Sequence, residues 1–445
     1  MFLIIGCARS GLAAAKLALT QNEKVGLYDG KTYDKLSQSS QQQVSELESQ
    51  GVNLFLGKIF RSDEVTQVIV SPGVPLEIDI ITYYRDKNVP IIGEFEYAST
   101  FCKAPIIGIT GTNGKTTTTS LVGKIFSDFN PETYVVGNIG QAFSEKVLEI
   151  PENGIVIAEL SSFQLETITM LKCAVATILN ISPDHLNRHH TMENYINAKL
   201  KIINMDAPLI LNQEDGYLKN LVESLSSNIK TFSSKQPVTC GTYFKDGKLW
   251  QNMLKEPSVV CNEDELHILG EHNIENALAA IAIAISYEVP MNIIKKELMS
   301  FKGVEHRIEF VRNLNGRNFY NDSKATNTGA AIPGLFAMKG TTRLIAGGMD
   351  KYSEFDDWVQ LFKGRVEKVY LIGETSNQII KTCKKYNFNN VESYDTLDKA
   401  TLSAYEESEF GDNILLSPAC ASWDMFESYE QRGDLFKYIV NNLEG

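Results

Sequence analysis

Short apolar runs recur along the chain, and most are followed by a stretch whose apolar positions return at helical spacing. That alternation predicts parallel strands covered by helices, an α/β fold class. Phe2 to Ile5 reads as a strand, Gly6 to Gly11 as a turn, Leu12 to Thr20 as a helix and Lys24 to Tyr28 as a second strand ending at Asp29. A second block opens with a strand over Ala104 to Ile109, a glycine turn and a helix over Thr116 to Phe126. Strands at Gly154 to Ala158 and Ala174 to Leu179 follow, then a helix from Met192 to Asn204. Beyond Phe301 the pattern restarts, with strands at Asn318 to Tyr320, Thr342 to Ile345, Lys368 to Ile372 and Asn413 to Leu416. Three domains are therefore expected, at residues 1–97, 98–302 and 303–445. Ser37 to Gln43, rich in serine and glutamine, reads as a solvated loop or helix edge.

The most apolar segment, Ala277 to Ser286, is half the roughly 20 residues a membrane span needs, so it reads as a buried helix. The opening residues lack a basic region and a long apolar run, so no signal peptide and no membrane insertion are expected. A length of 445 residues exceeds what one core usually supports. Against 55 acidic residues stand 42 basic ones, a formal net charge of -13, which disfavours a nucleic-acid partner. The 7 cysteines form no C-x-x-C pair and read as reduced thiols of a cytoplasmic protein.

The segment Gly108-Ile109-Thr110-Gly111-Thr112-Asn113-Gly114-Lys115-Thr116-Thr117 stands between an apolar strand and a helix, and it is a phosphate cradle. Glycines let backbone N–H groups converge on phosphate oxygens, the helix N-terminus adds positive potential, Lys115 supplies a point charge, and the Thr116 hydroxyl can ligate magnesium. It departs from a strict Walker A loop because its first glycine, Gly108, comes one place early. Glu159 ends the apolar run Ile155 to Ala158, where open α/β sheets place their ligands, and is a candidate magnesium ligand. His185 follows Asp184 where another strand leaves its sheet and can bind a metal through an imidazole nitrogen, whereas His189 and His190 read as solvated loop residues. By residue type alone Lys199 is a solvated helix lysine, and Asn273 a helix cap. In Gly6-Cys7-Ala8-Arg9-Ser10-Gly11, Ala8 replaces the middle glycine of the dinucleotide fingerprint, which argues against NAD; a turn without a ligand stays open.

The loop ending Gly114-Lys115-Thr116-Thr117 resembles that of the Mur ligases and the folylpolyglutamate synthetases. The segments Gly270 to Ala277, Gly303 to Arg307, Asn321 to Asn327 and Leu415 to Asp424 extend the resemblance to the Mur ligase family over essentially the whole chain. It implies Rossmann-like N- and C-terminal domains around a central P-loop-type ATPase with a mainly parallel sheet. It further implies an ADP-forming amide ligase, monomeric and cytoplasmic, that adds D-glutamate to UDP-N-acetylmuramoyl-L-alanine through an acyl phosphate. The implied ATP site comprises Gly111, Thr112, Asn113, Gly114, Lys115, Thr116, Thr117, Asn273, Arg307 and Asp322. Two magnesium ions would be held by Thr116, Glu159, His185 and Lys199, the last carbamylated, with Lys201 as the competing register. The catalytic set is Lys115, His185, Lys199 and Lys324. Arg9, Ser10, Gly11, Asp29, Gly30, Gly73 and Asn138 fall to the UDP substrate. Lys324, Thr326, Lys351, Ser422 and Tyr429 fall to D-glutamate, with Tyr429 where the family more often has phenylalanine. Another Mur-type or folylpolyglutamate-type ligase, or a nucleotide-binding protein without ligase chemistry, remain the alternatives.

Overall fold

The computed structural model describes residues 1–224, 228–268, 270–350 and 354–444. Its strands form three sheets. The first joins β1 (Phe2–Ile5), β2 (Val25–Asp29), β3 (Asn53–Leu56), β4 (Gln67–Val70) and β5 (Ile91–Gly93) in the order β3-β2-β1-β4-β5, every pairing parallel. Parallel neighbours need crossover connections, and the helices Arg9–Thr20 and Gln38–Ser49 supply two of them. The second of these begins inside the Ser/Gln-rich stretch, where Ser37 Oγ accepts from the Ser40 N–H at 3.2 Å as its cap.

The second sheet comprises β6 (Ile106–Thr110), β7 (Thr133–Gly137), β8 (Ile155–Glu159), β9 (Val175–Ile178), β10 (Leu209–Asn212), β11 (Ile229–Ser233), β12 (Gly241–Lys245), β13 (Lys248–Asn252) and β14 (Ser258–Asn262). Its order is β14-β13-β12-β11-β10-β9-β6-β8-β7, parallel except at the β12-β13-β14 edge. Because β6 lies between β8 and β9, the loops leaving the C-terminal ends of these three strands are neighbours. Open α/β sheets bind ligands at that end.

The third sheet holds β15 (Glu309–Leu314), β16 (Arg317–Asn321), β17 (Thr342–Gly347), β18 (Val366–Ile372), β19 (Val391–Ser393) and β20 (Asn413–Leu416), ordered β15-β16-β20-β17-β18-β19. Here β16 pairs with β20, so the segments after Asn321 and after Leu416 run side by side.

These sheets fall into two compact units, Met1–Glu263 with Glu275–Met299, and Asp264–Ile274 with Ser300–Gly445. The first two sheets share one core, in which Phe95 and Tyr97 of the helix Glu94–Ser99 join Phe143 and Leu165. Two buried carboxylates of that helix tie it to the second sheet's surroundings. Glu94 accepts from the Ser144 N–H at 2.7 Å and Glu96 from the Thr169 N–H at 2.6 Å. Residues 277–284 of the helix Glu271–Ser286 are each 0% exposed, as their apolar run predicts. Among the described residues no helix is long and apolar enough to cross a membrane.

Candidate active site

β6 ends at Thr110, and the chain turns through Gly111 to Gly114 before the helix Lys115–Phe129. Gly114 has φ 81°, and a Cβ there would lie 2.2 Å from Asn276 Oδ1, so both its conformation and its surroundings require glycine. Gly108 lies inside β6 instead. Its missing Cβ makes room for Cys173 and Ile202, which makes it a packing residue rather than the first glycine of the cradle.

The loop is pinned from two directions. The N–H of Asn113 donates to Asn180 Oδ1 at 2.8 Å, and Asn180 Nδ2 donates back to the Asn113 carbonyl at 3.1 Å. Thr112 Oγ1 pairs with the Tyr195 hydroxyl at 2.8 Å and accepts from the Ser182 N–H at 3.0 Å. The Lys115 ammonium folds back onto the carbonyls of Gly111 and Thr112, at 2.9 and 2.8 Å. Thr116 is half-buried at the helix start, and Thr117 is buried on the helix's inner face.

Glu159, the parallel neighbour of Ile109, is fully buried at the end of β8. Its Oε1 accepts from Asn138 Nδ2 at 2.7 Å, while Oε2 has no hydrogen-bond partner among the described residues. A buried carboxylate oxygen left bare costs free energy, and a hard cation with oxygen ligands would satisfy it. Gly137 lets that approach happen, since a Cβ there would lie 2.3 Å from the Glu159 carbonyl.

Lys199 is 1% exposed, not the solvated side chain its residue type predicts. Its ammonium donates to the Gly111 carbonyl at 2.7 Å and sits 4.7 Å from the centre of the Tyr195 ring. Burial, reinforced by the nearby Lys115 charge and opposed by Asp184, pushes it down to about 7. At neutral pH much of this amine is therefore unprotonated and nucleophilic, whereas Lys201 is exposed. Folding lowers this amine from the ordinary 10.5 to about 7, so protons are released on folding and stability rises with pH across that window. Thermal melts in CO₂-free buffer from about pH 7 to 10 are expected to show wild type gaining on Lys199→Met as pH rises. A constant gap contradicts the burial account.

His185 takes the left-handed conformation, φ 52°, with its ring half-exposed; its Nε2 lies 3.5 Å from Asp184 Oδ2, and its ring centre 4.8 Å from that of Phe163. His190 is exposed, but His189 is not the solvated residue expected. It is buried between Ser162, Glu166 and the Phe163 and Tyr195 rings. Burial holds its imidazole below the ordinary histidine range.

A cleft of about 430 Å³ opens where the first sheet faces the turn after β7. Arg9, Ser10, Asp29, Gly73 and Asn138 line it, joined by Gln164, which the sequence reading passed over. Arg9 donates to the Gly140 carbonyl. Asp29 spends its carboxylate on backbone, accepting from the N–H groups of Cys7 and Lys31 at 2.8 and 2.9 Å. Gly11 is buried for packing, because a Cβ would lie 1.9 Å from the Gly6 carbonyl, and Gly30 is exposed at the end of β2.

In the second unit Asp322 follows β16 and is buried. Ser417 Oγ donates to its Oδ2 at 2.7 Å and the Ile308 N–H to its Oδ1 at 3.3 Å, which ties the Arg307 segment to it. Burial, opposed by Ser417 and Arg307, pushes its carboxyl up to about 7. Lys324 Nζ lies 5.8 Å from the Tyr429 ring centre, and the Thr326 N–H donates to the Lys324 carbonyl at 2.9 Å. Asn327 then caps the next helix by accepting from the Ala330 N–H at 2.8 Å. Ser422 is buried. The fully buried Arg432 braces this side, donating to Ser323 Oγ and to the carbonyls of Ser323, Cys420 and Ala421. Asn273 is buried, and Lys351 lies outside the described residues.

The fold is that of an α/β protein with a glycine-rich strand–loop–helix turn in one unit and a cluster of buried polar side chains around Asp322 in a separate α/β unit. Residues 109–284 match the Mur ligase middle domain and residues 306–420 the Mur ligase glutamate ligase domain. The chain belongs to the Mur ligase family. It is 42% identical, over 99% of its length and 98% of the relative's, to a UDP-N-acetylmuramoylalanine–D-glutamate ligase from Thermoanaerobacter sp. strain X514. The ligase of the same name from Clostridioides difficile strain 630 is also 42% identical, again over 99% of this chain and 98% of the relative. Among solved structures the fold is similar to MurF from Acinetobacter baumannii, with TM-score 0.61 and 15% identity, covering 99% of this chain and 93% of that one. UDP-N-acetylmuramate-alanine ligase MurC from Thermotoga maritima gives TM-score 0.59 at 19% identity, covering 99% of each chain.

Proposed function

We propose that this protein joins D-glutamate to UDP-N-acetylmuramoyl-L-alanine with hydrolysis of ATP to ADP, a step of peptidoglycan precursor synthesis in the cytoplasm. The observation that carries this reading is the 42% identity, over 99% of the chain, to ligases named for that reaction. The geometry supplies the parts. The cleft beside Arg9 takes the UDP substrate, and Asn138 links it to Glu159. The Gly111–Thr117 loop takes the triphosphate, with Lys115 released from its own carbonyls to meet the γ-phosphate. The substrate carboxylate attacks the γ-phosphorus, and ADP leaves as the bridging P–O bond breaks. The amine of D-glutamate then attacks the acyl phosphate carbon, losing a proton and expelling phosphate as the amide forms. By resemblance to the family, Arg307 and Asp322 are assigned to the nucleotide. Lys324, Thr326 and Ser422 hold the amino acid, with Tyr429 beside Lys324; we take the working unit to be one chain.

Thr116, Glu159 with its bare oxygen, His185 and Lys199, once carbamylated, would hold two magnesium ions. Bound there, they would neutralise phosphate charge. As an ammonium, Lys199 would set a buried cation near the Lys115 charge; CO₂ added to its free amine, with loss of a proton, yields an anion with two oxygens suited to magnesium.

Phosphate release is expected only when UDP-N-acetylmuramoyl-L-alanine and D-glutamate are both present, and release indifferent to either substrate overturns the proposal. Ser422→Ala is expected to raise the KM for D-glutamate about ten-fold, the cost of one hydrogen bond to a charged group, leaving that for ATP unchanged. Steady-state kinetics with each substrate varied checks it.

A further inference from the structure

The one-turn helix Leu186–His189 is bracketed by two non-glycine residues with positive φ, His185 at 52° and His190 at 65°. Such backbone is costly for residues with a Cβ and persists only where surroundings over-determine it. The surroundings here are one cluster. Arg188 Nη2 donates to Glu166 Oε2 at 2.6 Å, and His189 Nδ1 lies 3.1 Å from Glu166 Oε1, so both carboxylate oxygens are used. On its far side His189 Nε2 pairs with Ser162 Oγ at 2.9 Å. The Arg188 guanidinium sits 5.0 Å from the centre of the Phe163 ring, whose other neighbours are the rings of His189 at 5.6 Å and His185 at 4.8 Å. Glu166, Phe163 and Ser162 all lie in or beside the short helix Ser162–Leu165, which begins three residues after Glu159. Nothing in the reaction as derived uses Glu166, Arg188, His189 or Phe163.

We propose that Glu166, Arg188, His189 and Phe163 are positioning residues for His185, locking its strained turn onto the segment that carries Glu159 and so setting the distance between these two ligands. The assignment rests on the reading of Glu159 and His185 as metal ligands. Three constraints reach His185 from this cluster. Its ring packs on Phe163, its carbonyl accepts from the N–H groups of Arg188 and His189 at 2.9 and 3.1 Å, and those two side chains are clamped by one carboxylate. Among the described residues the exposed His185 ring has a single ion-pair partner, Asp184 at 3.5 Å, an adjacent residue on the same turn. Its orientation is therefore set through the backbone and through Phe163. The cluster also meets the Lys199 helix, since Asn194 Nδ2 donates to the His189 carbonyl at 2.9 Å and the His189 ring lies 5.1 Å from that of Tyr195.

The test is the affinity for Mn²⁺, titrated by electron paramagnetic resonance on the full chain with a non-hydrolysable ATP analogue, alongside thermal melts. Glu166→Gln and Phe163→Leu are expected to weaken Mn²⁺ binding roughly ten-fold, the low end of what losing the outer partners of a metal ligand costs. His189→Asn, which keeps a donor toward Glu166, is expected to retain tighter binding than His189→Leu. In folded protein with ¹³C-labelled histidines, of which the chain has 6, the His185 signal should shift in Glu166→Gln. A control, His185→Ala, separates the two levels of the argument. If His185→Ala loses Mn²⁺ affinity while folded Glu166→Gln and Phe163→Leu keep wild-type affinity and His185 signal, the positioning role is overturned and the metal reading stands. If His185→Ala binds Mn²⁺ as wild type does, both fall.

Discussion

Lys199→Ala is expected to lose activity by about 10³-fold, with acetate or formate at high concentration restoring part of it. The loss exceeds what deleting a helix lysine costs because this amine lies buried beneath the phosphate loop, against the Gly111 carbonyl and near Lys115. The rescue follows from the proposed carbamate: a small carboxylate entering the cavity left by the side chain returns the two oxygens that a carbamate at Lys199 would supply. Initial rates of phosphate release, with chloride as the control salt, measure both effects. Full activity in the variant removes the carbamate from the account, and a loss without rescue assigns Lys199 to holding the loop.

Lys115→Ala is expected to reduce ADP formation by a similar factor, about 10³-fold, while leaving the affinity for the UDP substrate within about two-fold of wild type. The separation is geometric. Lys115 belongs to the loop between β6 and the helix Lys115–Phe129, whereas the cleft beside Arg9 is lined by the first sheet's loops and the turn after β7. A single-turnover assay paired with calorimetric titration of the UDP substrate reads the two quantities independently. Near-normal ADP formation overturns the assignment of the loop.

Much of this architecture was legible in the chain. Strand runs such as Asn413 to Leu416 appear where the apolar pattern puts them, because strands buried on both faces read as continuous apolar stretches. The strand–turn–helix at Lys115 was legible because an apolar run, clustered glycines and a helical pattern follow one another there. What could not be read is what depends on neighbours distant in sequence. Lys199 and His189 look solvated by type, yet both are buried by packing against residues from other elements. Gly108 looked like part of the cradle and serves Cys173 and Ile202 instead. The tethers of the loop, Asn180 and Tyr195, carry no signal by themselves, since an asparagine at a strand end and a tyrosine on a helix are ordinary. Asn276 lies in the segment Gly270 to Ala277, but only the fold brings it against Gly114. The expected three blocks appear as three sheets, while the first two share a core that no local pattern announces.

The central claim is that the muramoyl-alanine carboxylate attacks the γ-phosphorus of ATP held by the loop at Lys115. The most direct measurement is oxygen transfer. UDP-N-acetylmuramoyl-L-alanine labelled with ¹⁸O in its carboxylate is turned over with ATP and D-glutamate, and the released phosphate is analysed by mass spectrometry. The account predicts one ¹⁸O in each phosphate, since the attacking oxygen leaves with phosphorus when the amide forms. Phosphate free of label contradicts it.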